Sequence, residues 1–307
     1  MHETSIAVID SKALFNVFGS SDENLRQIRR LLGVKVTLDE NKIIIRGASD
    51  AIRRGATLLE QLQKTAQQNI TITREDILRA ISEVNQDKPI SNAKPIEVFG
   101  SKQVRPKTAG QALYVEELRR REIVFCVGPA GTGKTYLAVA KSVESLKNDL
   151  VKKIVLVRPA VEAGENLGFL PGDLQAKINP YLRPLFDALG DMLDRDLLKR
   201  YIDDDRIEVI PLAYMRGRTL NNASIILDEA QNTSIAQMKM FLTRMGDAST
   251  IVVCGDTTQI DLPENKKSGL IDALHRLKHI NEIGVVKLDK SDIVRHRLVQ
   301  KIVNAYE

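Results

Sequence analysis

The chain has 307 residues, 43% hydrophobic and 28% charged, an ordinary globular composition with room for two domains. Tryptophan is absent and aromatics make up 4%, which argues against a broad base-stacking surface as the main mode of binding, and no uninterrupted apolar run is long enough to span a membrane. The formal charge of +5, with a pI near 9.1, permits contact with nucleic acid without demonstrating it.

The first residues, MHETSIAVIDSK, lack a basic stretch followed by an apolar one, so no signal peptide is expected. Cys126 and Cys254 each sit inside an apolar strand-like run, the pattern of buried free thiols. A cytoplasmic protein without membrane contact is the expectation.

Residues 1–85 are expected to form a small α/β unit. SIAVI (5–9) reads as a strand and ALFNVFG (13–19) as a short helix ending on Gly19. Asp22 is placed to cap the next helix, whose Leu25, Ile28 and Leu32 share one face before Gly33 stops it. VKVTL (34–38) and IIIRG (43–47) read as strands around a turn at Asp39–Asn41, and Ser49 caps a helix that buries Ile52, Ala56, Leu59 and Leu62. This β-α-α-β-β-α order, with a glycine-bearing loop between the first two helices, resembles the KH domain, which grips four nucleotides through a GXXG loop. Here the loop is Gly19-Ser20-Ser21-Asp22, and its aspartate would repel a phosphate. Arg26, Arg29 and Arg30 follow, either to compensate or as a charged helix face.

Residues 86–106, QDKPISNAKPIEVFGSKQVRP, hold three prolines and a glycine with little periodicity, and read as a linker. From 88 to 107, Lys88, Lys94, Lys102, Arg105 and Lys107 stand against one acid, Glu97. A solvated tether and a phosphate-contacting strap both fit that charge.

The chemistry lies in residues 107–307. EIVFCV (122–127) reads as a buried strand running into Gly128-Pro129-Ala130-Gly131-Thr132-Gly133-Lys134-Thr135 and then a helical YLAVAKSVESL. This is G-x-x-x-x-G-K-[ST] between strand and helix, a phosphate-binding loop. Its backbone N–H groups and helix N-terminus suit phosphate; Lys134 would neutralise the β- and γ-phosphates and Thr135 would coordinate Mg²⁺. ATP and Mg²⁺ are the implied ligands.

A second strand, ASIIL, ends on Asp228-Glu229. Asp228 is placed to hold Mg²⁺, and Glu229 to orient and deprotonate water. A third, STIVVCGD (249–256), ends on Gly255-Asp256 and leads to Gln259, a candidate sensor of the γ-phosphate; a polar loop with Asp256 as its cap is the alternative. In a parallel sheet all three motifs meet at one edge.

GPAGTGKT, DEAQ and GDTTQ resemble superfamily 1 helicase cores. More closely, RPKTAGQALYV (105–115), LVRPAVEAGENLGFLPGDL (156–174), YMRGRTL (214–220), DEAQN (228–232), MKMFLTRMG (238–246) and SDIVRHRLV (291–299) resemble the PhoH-like family over 106–307. The resemblance implies a RecA-like P-loop NTPase domain with a parallel sheet, preceded by the KH-like α/β unit. It implies that Gln111 reads adenine, that Arg158 lies near the γ-phosphate and nucleic-acid side, and that Arg216 and Arg218 meet a phosphate backbone or a neighbouring subunit. Arg244 is either a sensor or the finish of a helix, and Arg295 or Arg297 is the arginine finger. His275 and His279 are spaced for one helix face but lack a third metal ligand.

About 45 residues follow Asp261, too few for a second RecA-like domain. A homo-oligomer, a hexameric ring in the resembled family, would then supply the finger in trans. Two functions fit: an RNA-dependent ATPase or helicase-like ring linked to ribosomal RNA maturation, or a nucleotide-switched adaptor for a YbeY-type endoribonuclease.

Overall fold

The computed structural model describes residues 2–19, 22–67, 72, 74–85, 94–100, 102–159, 174–263, 266–295, 298–299 and 302. Two compact units emerge: Met1–Lys94 with Lys107–Ala109, and Pro95–Pro106 with Gly110–Glu307.

In the first unit the chain runs β1 (His2–Ala7), α1 (Ser11–Phe18), α2 (Glu23–Leu32), β2 (Lys35–Asp39), β3 (Lys42–Gly47), α3 (Ser49–Gln67) and α4 (Arg74–Asn85). Strand β3 is central and antiparallel to both β1 and β2. Alternation along β3 buries Ile43 and Ile45 completely against a core with Ile28, Leu58, Leu59 and Ile77. Gln63 is fully buried yet satisfied: its amide donates to the Ala7 carbonyl at 3.2 Å and accepts from the Ile9 N–H at 3.0 Å, tying α3 to the end of β1. The expected cap is corrected: Asp22 stands at the N-cap of α2 with φ 58°, but its side chain makes no capping hydrogen bond. Helix α4 was not anticipated; it packs on α2 and α3.

The second unit begins with a two-residue hairpin, β4 (Ile96–Glu97) and β5 (Gln103–Val104). It continues through α5 (Ala109–Arg120), β6 (Ile123–Val127), α6 (Lys134–Lys147), β7 (Lys153–Arg158), α7 (Leu174–Met192), α8 (Arg195–Asp203), β8 (Ile207–Pro211), β9 (Ala223–Leu227), α9 (Ile235–Leu242), β10 (Thr250–Gly255), α10 (Gly269–Leu277) and β11 (Ile283–Lys287). The six long strands form one sheet in the order β11-β6-β10-β9-β7-β8, parallel throughout. Residues of alternate parity fill two cores. Val124, Cys126, Ile154, Leu156, Ile226, Val252 and Cys254 lie on one side. Phe125, Val127, Val155, Val157, Ile225, Leu227, Ile251 and Val253 lie on the other. A sheet covered on both faces needs apolar residues at nearly every strand position, which these strands supply with few exceptions, such as the buried Ser224 hydrogen-bonded to Ser142. Among the described residues, no helix is long and apolar enough to cross a membrane.

The expected linker at 86–106 is corrected for Pro95–Pro106, which belong to the second unit. Ile96 and Val98 are fully buried in its larger core. The Glu97 N–H donates to Glu144 at 3.0 Å, Lys147 donates to the Val98 carbonyl at 3.0 Å, and Lys102 donates to the Asp191 carbonyl at 3.2 Å. Residues 86–93 lie outside the described residues. Because Ile96 has no exposed surface, Ile96→Ala should destabilise the protein by about 2–5 kcal/mol, read as a lower urea midpoint, whereas a residue of a solvated tether would change it by no more than about 0.5 kcal/mol.

Candidate nucleotide site

All strands of the sheet point one way, so the carboxyl ends of β6, β9 and β10 share an edge. Strand β10 lies between the other two, and the P-loop N–H of Gly128 donates to the Gly255 carbonyl at 3.1 Å. From there residues 128–135 turn into α6, with Gly131 at φ 83° and Gly133 at φ 80°. A side chain at Gly128 would sit 2.5 Å from the Leu288 carbonyl.

The carbonyls of this loop are all engaged. Lys134 Nζ donates to the Gly128 and Pro129 carbonyls at 2.6 and 2.9 Å, and Thr132 Oγ1 donates to the Pro129 carbonyl at 2.8 Å. Arg295 donates to the Ala130 carbonyl at 3.2 Å and the Val294 N–H to the Gly131 carbonyl at 3.0 Å. The buried Gln111 amide donates to the Thr132 carbonyl at 3.0 Å.

Thr135 Oγ1 donates to Asp228 Oδ1 at 2.6 Å, which joins the end of the P-loop to the end of β9. Burial raises the Asp228 pKa; the Thr135 hydrogen bond opposes this, and the neighbouring Glu229 charge adds to it. Glu229 has φ 52°, in the left-handed region. Its Oε1 accepts from Arg158 at 3.1 Å and its Oε2 from the Gln231 amide at 2.7 Å. Gln231 in turn accepts from the Asp256 N–H at 3.0 Å, so one buried glutamine joins Glu229 to the end of β10. Asp256 Oδ1 accepts from the Thr258 N–H and hydroxyl at 2.9 and 2.7 Å, while its buried Oδ2 has no partner among the described residues. The capping reading of Asp256 is therefore observed, and Gln259 is exposed on the turn beyond it.

With this geometry in place, comparison with known proteins decides the family. A profile described as PhoH-like protein matches residues 103–307. The chain belongs to the PhoH-like family. It is 46% identical to a PhoH-like protein of Bacillus subtilis over 95% of this chain and 93% of that one. It is also 46% identical to a PhoH-like protein of Mycobacterium leprae, over 100% of this chain and 89% of that one. A second profile, parvovirus non-structural protein NS1, matches residues 48–147. Among solved structures, Pif1 helicase from Candida albicans aligns over 64% of this chain and 42% of that chain, at 16% identity and a TM-score of 0.34.

In this fold, a six-stranded parallel sheet with the P-loop at one edge, the remaining residues anticipated from sequence lie as follows. Gln111 braces the P-loop backbone. Arg295 lies against the P-loop of its own chain, held there with Val294. Arg297, the other finger candidate, lies outside the described residues, as do 160–173 of the loop after Arg158. Arg218 forks onto Glu208 at 2.8 and 2.9 Å, with Lys153 on the same carboxylate at 2.8 Å. Burial alone would raise the Glu208 pKa, but Arg218 and Lys153 together lower it. Arg244 finishes α9, donating to the Met240 and Arg218 carbonyls at 3.0 and 2.8 Å. Arg216 is exposed. Helix α10 ends at Leu277, so His279 does not share a helix face with His275, and the described residues hold no cluster of three metal-ligating side chains.

The thiols are buried and free, and burial pushes Cys254 up to about 12, which keeps it inert at neutral pH. Sequence reasoning gave no role to Gln231 or Asn232. Asn232 grips Asp261, donating to its carboxylate at 3.2 Å and accepting from its N–H at 2.8 Å. The available signal was two amides directly after Asp228-Glu229, at positions the fold buries.

The residues present fit a hard cation. Thr135 and Asp228 bring oxygen donors together, and the unpartnered Asp256 Oδ2 adds a buried acceptor at the same edge. Because Asp228 holds a proton more tightly folded than unfolded, its ionised form costs stability at neutral pH, and that cost fades as pH falls through the raised pKa. Asp228→Asn keeps an oxygen for Thr135 and should stabilise the nucleotide-free protein at pH 7, with the gap in Tm narrowing as pH falls through the raised pKa. A second expectation follows from Arg295. If its P-loop contact acts within one chain, mixing Glu229→Gln protein with Arg295→Ala protein restores no turnover; recovered turnover would return the arginine to a trans role.

Proposed function

We propose that this protein hydrolyses ATP with Mg²⁺ and couples turnover to single-stranded RNA. The observation that carries the ATPase reading is the Thr135–Asp228 hydrogen bond, which sets the cation ligands beside Glu229 at the mouth of the P-loop. ATP would lie with its phosphates on the P-loop N–H groups, and Lys134 would exchange loop carbonyls for the β- and γ-phosphates. Thr135 and Asp228 would hold Mg²⁺, which supplies charge neutralisation on the phosphates. Glu229 would take a proton from water as its oxygen attacks the γ-phosphorus and the bond to the β-phosphate oxygen breaks, giving ADP and phosphate.

The RNA reading is supported by the βααββα order with which the first unit opens, ahead of α4, the order on which the resemblance to a KH domain rests, and by the basic charge. It is not supported by Arg29, whose guanidinium is committed to the Val36 carbonyl at 3.1 and 2.6 Å. The proposal extends to a homo-oligomer, a ring of six copies being what the family resemblance implies. It also extends to ribosomal RNA maturation with a YbeY-type endoribonuclease as partner.

The test is ATP turnover with and without single-stranded RNA at two salt concentrations. Lys134→Ala should lose nucleotide binding. Glu229→Gln should keep it and lose turnover by about 100-fold or more. Salt-sensitive stimulation by RNA supports the coupling. Turnover indifferent to RNA would instead favour a nucleotide-switched adaptor, and normal turnover by Glu229→Gln would remove the assigned base.

A further inference from the structure

The assigned base is already engaged in this structure. Both carboxylate oxygens of Glu229 accept hydrogen bonds, Oε1 from Arg158 and Oε2 from Gln231. The two ties differ in kind. Gln231 is buried and anchored through its other amide atom to the Asp256 N–H, so the Oε2 tie belongs to the rigid sheet edge. The Arg158 tie is accessible, with 20% of the arginine side chain and 36% of the glutamate side chain exposed. A carboxylate oxygen occupied by a guanidinium is poorly placed to take a proton from water.

Arg158 is the last residue of β7, and its backbone register partner on β8 is Pro211. Beyond Pro211 the chain turns through Leu212–Met215, buries Leu212 and Met215, and leaves Tyr214 and Arg216 exposed. The two strands thus deliver an ion-paired arginine, an exposed arginine and an exposed aromatic ring to one end of the sheet. That combination suits a phosphodiester chain with unpaired bases: guanidinium forks for phosphates and a ring for stacking.

We infer that Arg158 is a positioning residue that occupies Glu229 Oε1 until a phosphate of single-stranded RNA takes its guanidinium. This rests on the RNA-coupled reading above and adds the coupling device. A partly exposed ion pair is weak enough for a phosphate to displace. Once Arg158 turns to the phosphate, Oε1 is open to water while Gln231 still holds Oε2, so the base is released without losing its place. By linkage, whatever Glu229 costs RNA binding, RNA returns as freedom of Glu229.

The linkage can be read without nucleotide. Fluorescence anisotropy of a labelled single-stranded oligoribonucleotide at low salt should show Glu229→Gln binding roughly two- to fivefold more tightly than wild type, the size of one such ion pair. In an Arg158→Ala background the same substitution should change nothing, which separates the latch from a general loss of negative charge. Arg158→Ala should also bind RNA more weakly, turn over ATP faster without RNA and no longer respond to it; Arg158→Lys should recover RNA binding in part. RNA bound equally by wild type and Glu229→Gln would overturn the latch and leave the RNA reading standing. So would an undiminished Glu229→Gln effect in the Arg158→Ala background. No RNA binding by any of the proteins would overturn both.

Discussion

A loop that binds phosphate through its backbone must turn its N–H groups one way, and planar trans peptides then turn its carbonyls the other. Those carbonyls need donors, and the second unit is arranged to provide them. Every carbonyl from Gly128 to Thr132 accepts from protein: Lys134, Thr132, Arg295, the Val294 N–H and Gln111. The donors come from the loop itself, from α5 and from the segment after β11, parts of the chain far apart in sequence. With no cis peptide among the described residues, each engaged carbonyl turns the next N–H where one exists (Pro129 has none) toward the opposite side. The anion site is therefore preorganised by contacts on the face that a phosphate does not touch.

Placing β10 between the P-loop strand and the acidic strand has a related effect. It separates Asp228 from β6 by one strand, and Thr135, at the first turn of α6, spans that gap to reach it at 2.6 Å. It also makes the end of β10 a neighbour of both motifs. Gly255 accepts from Gly128 on one side, and Asp256 donates to Gln231 on the other. A shift at any one strand end is then felt at the other two through hydrogen bonds rather than through loops.

The strand ends were legible because their chemistry is local. A buried apolar run followed by glycines, or by paired acids, fixes both the element and what it delivers, so β6, β9 and β10 could be placed from sequence to within a residue or so. The hairpin at Ile96–Val104 was not legible. Its apolar residues are few and spread among lysines and prolines, and only the core behind α6 shows that Ile96 and Val98 are buried. The resemblance put Arg158 near the γ-phosphate and nucleic-acid side but gave it no partner. Its pairing with Glu229 joins residues 71 apart across adjacent strand ends, a distance at which spacing carries no information. The same holds for Arg295, whose hydrogen bond to the Ala130 carbonyl joins residues 165 apart.

The excess of positive charge illustrates why composition stops short of function. A pI near 9.1 suggests a basic surface, yet several of the cations are committed to folding. Arg29 holds β2, Arg218 and Lys153 share Glu208, Arg244 closes a helix, Lys147 and Lys102 fasten the hairpin, and Arg119 reaches the Pro95 carbonyl. These cations satisfy carbonyls and carboxylates in the molecule, and substituting them would report on stability before binding. Arg158 differs from this group in one respect that matters for function. Its partner is the assigned catalytic base, and both groups reach solvent, so breaking the pair changes what the site can do while leaving the sheet beneath it intact.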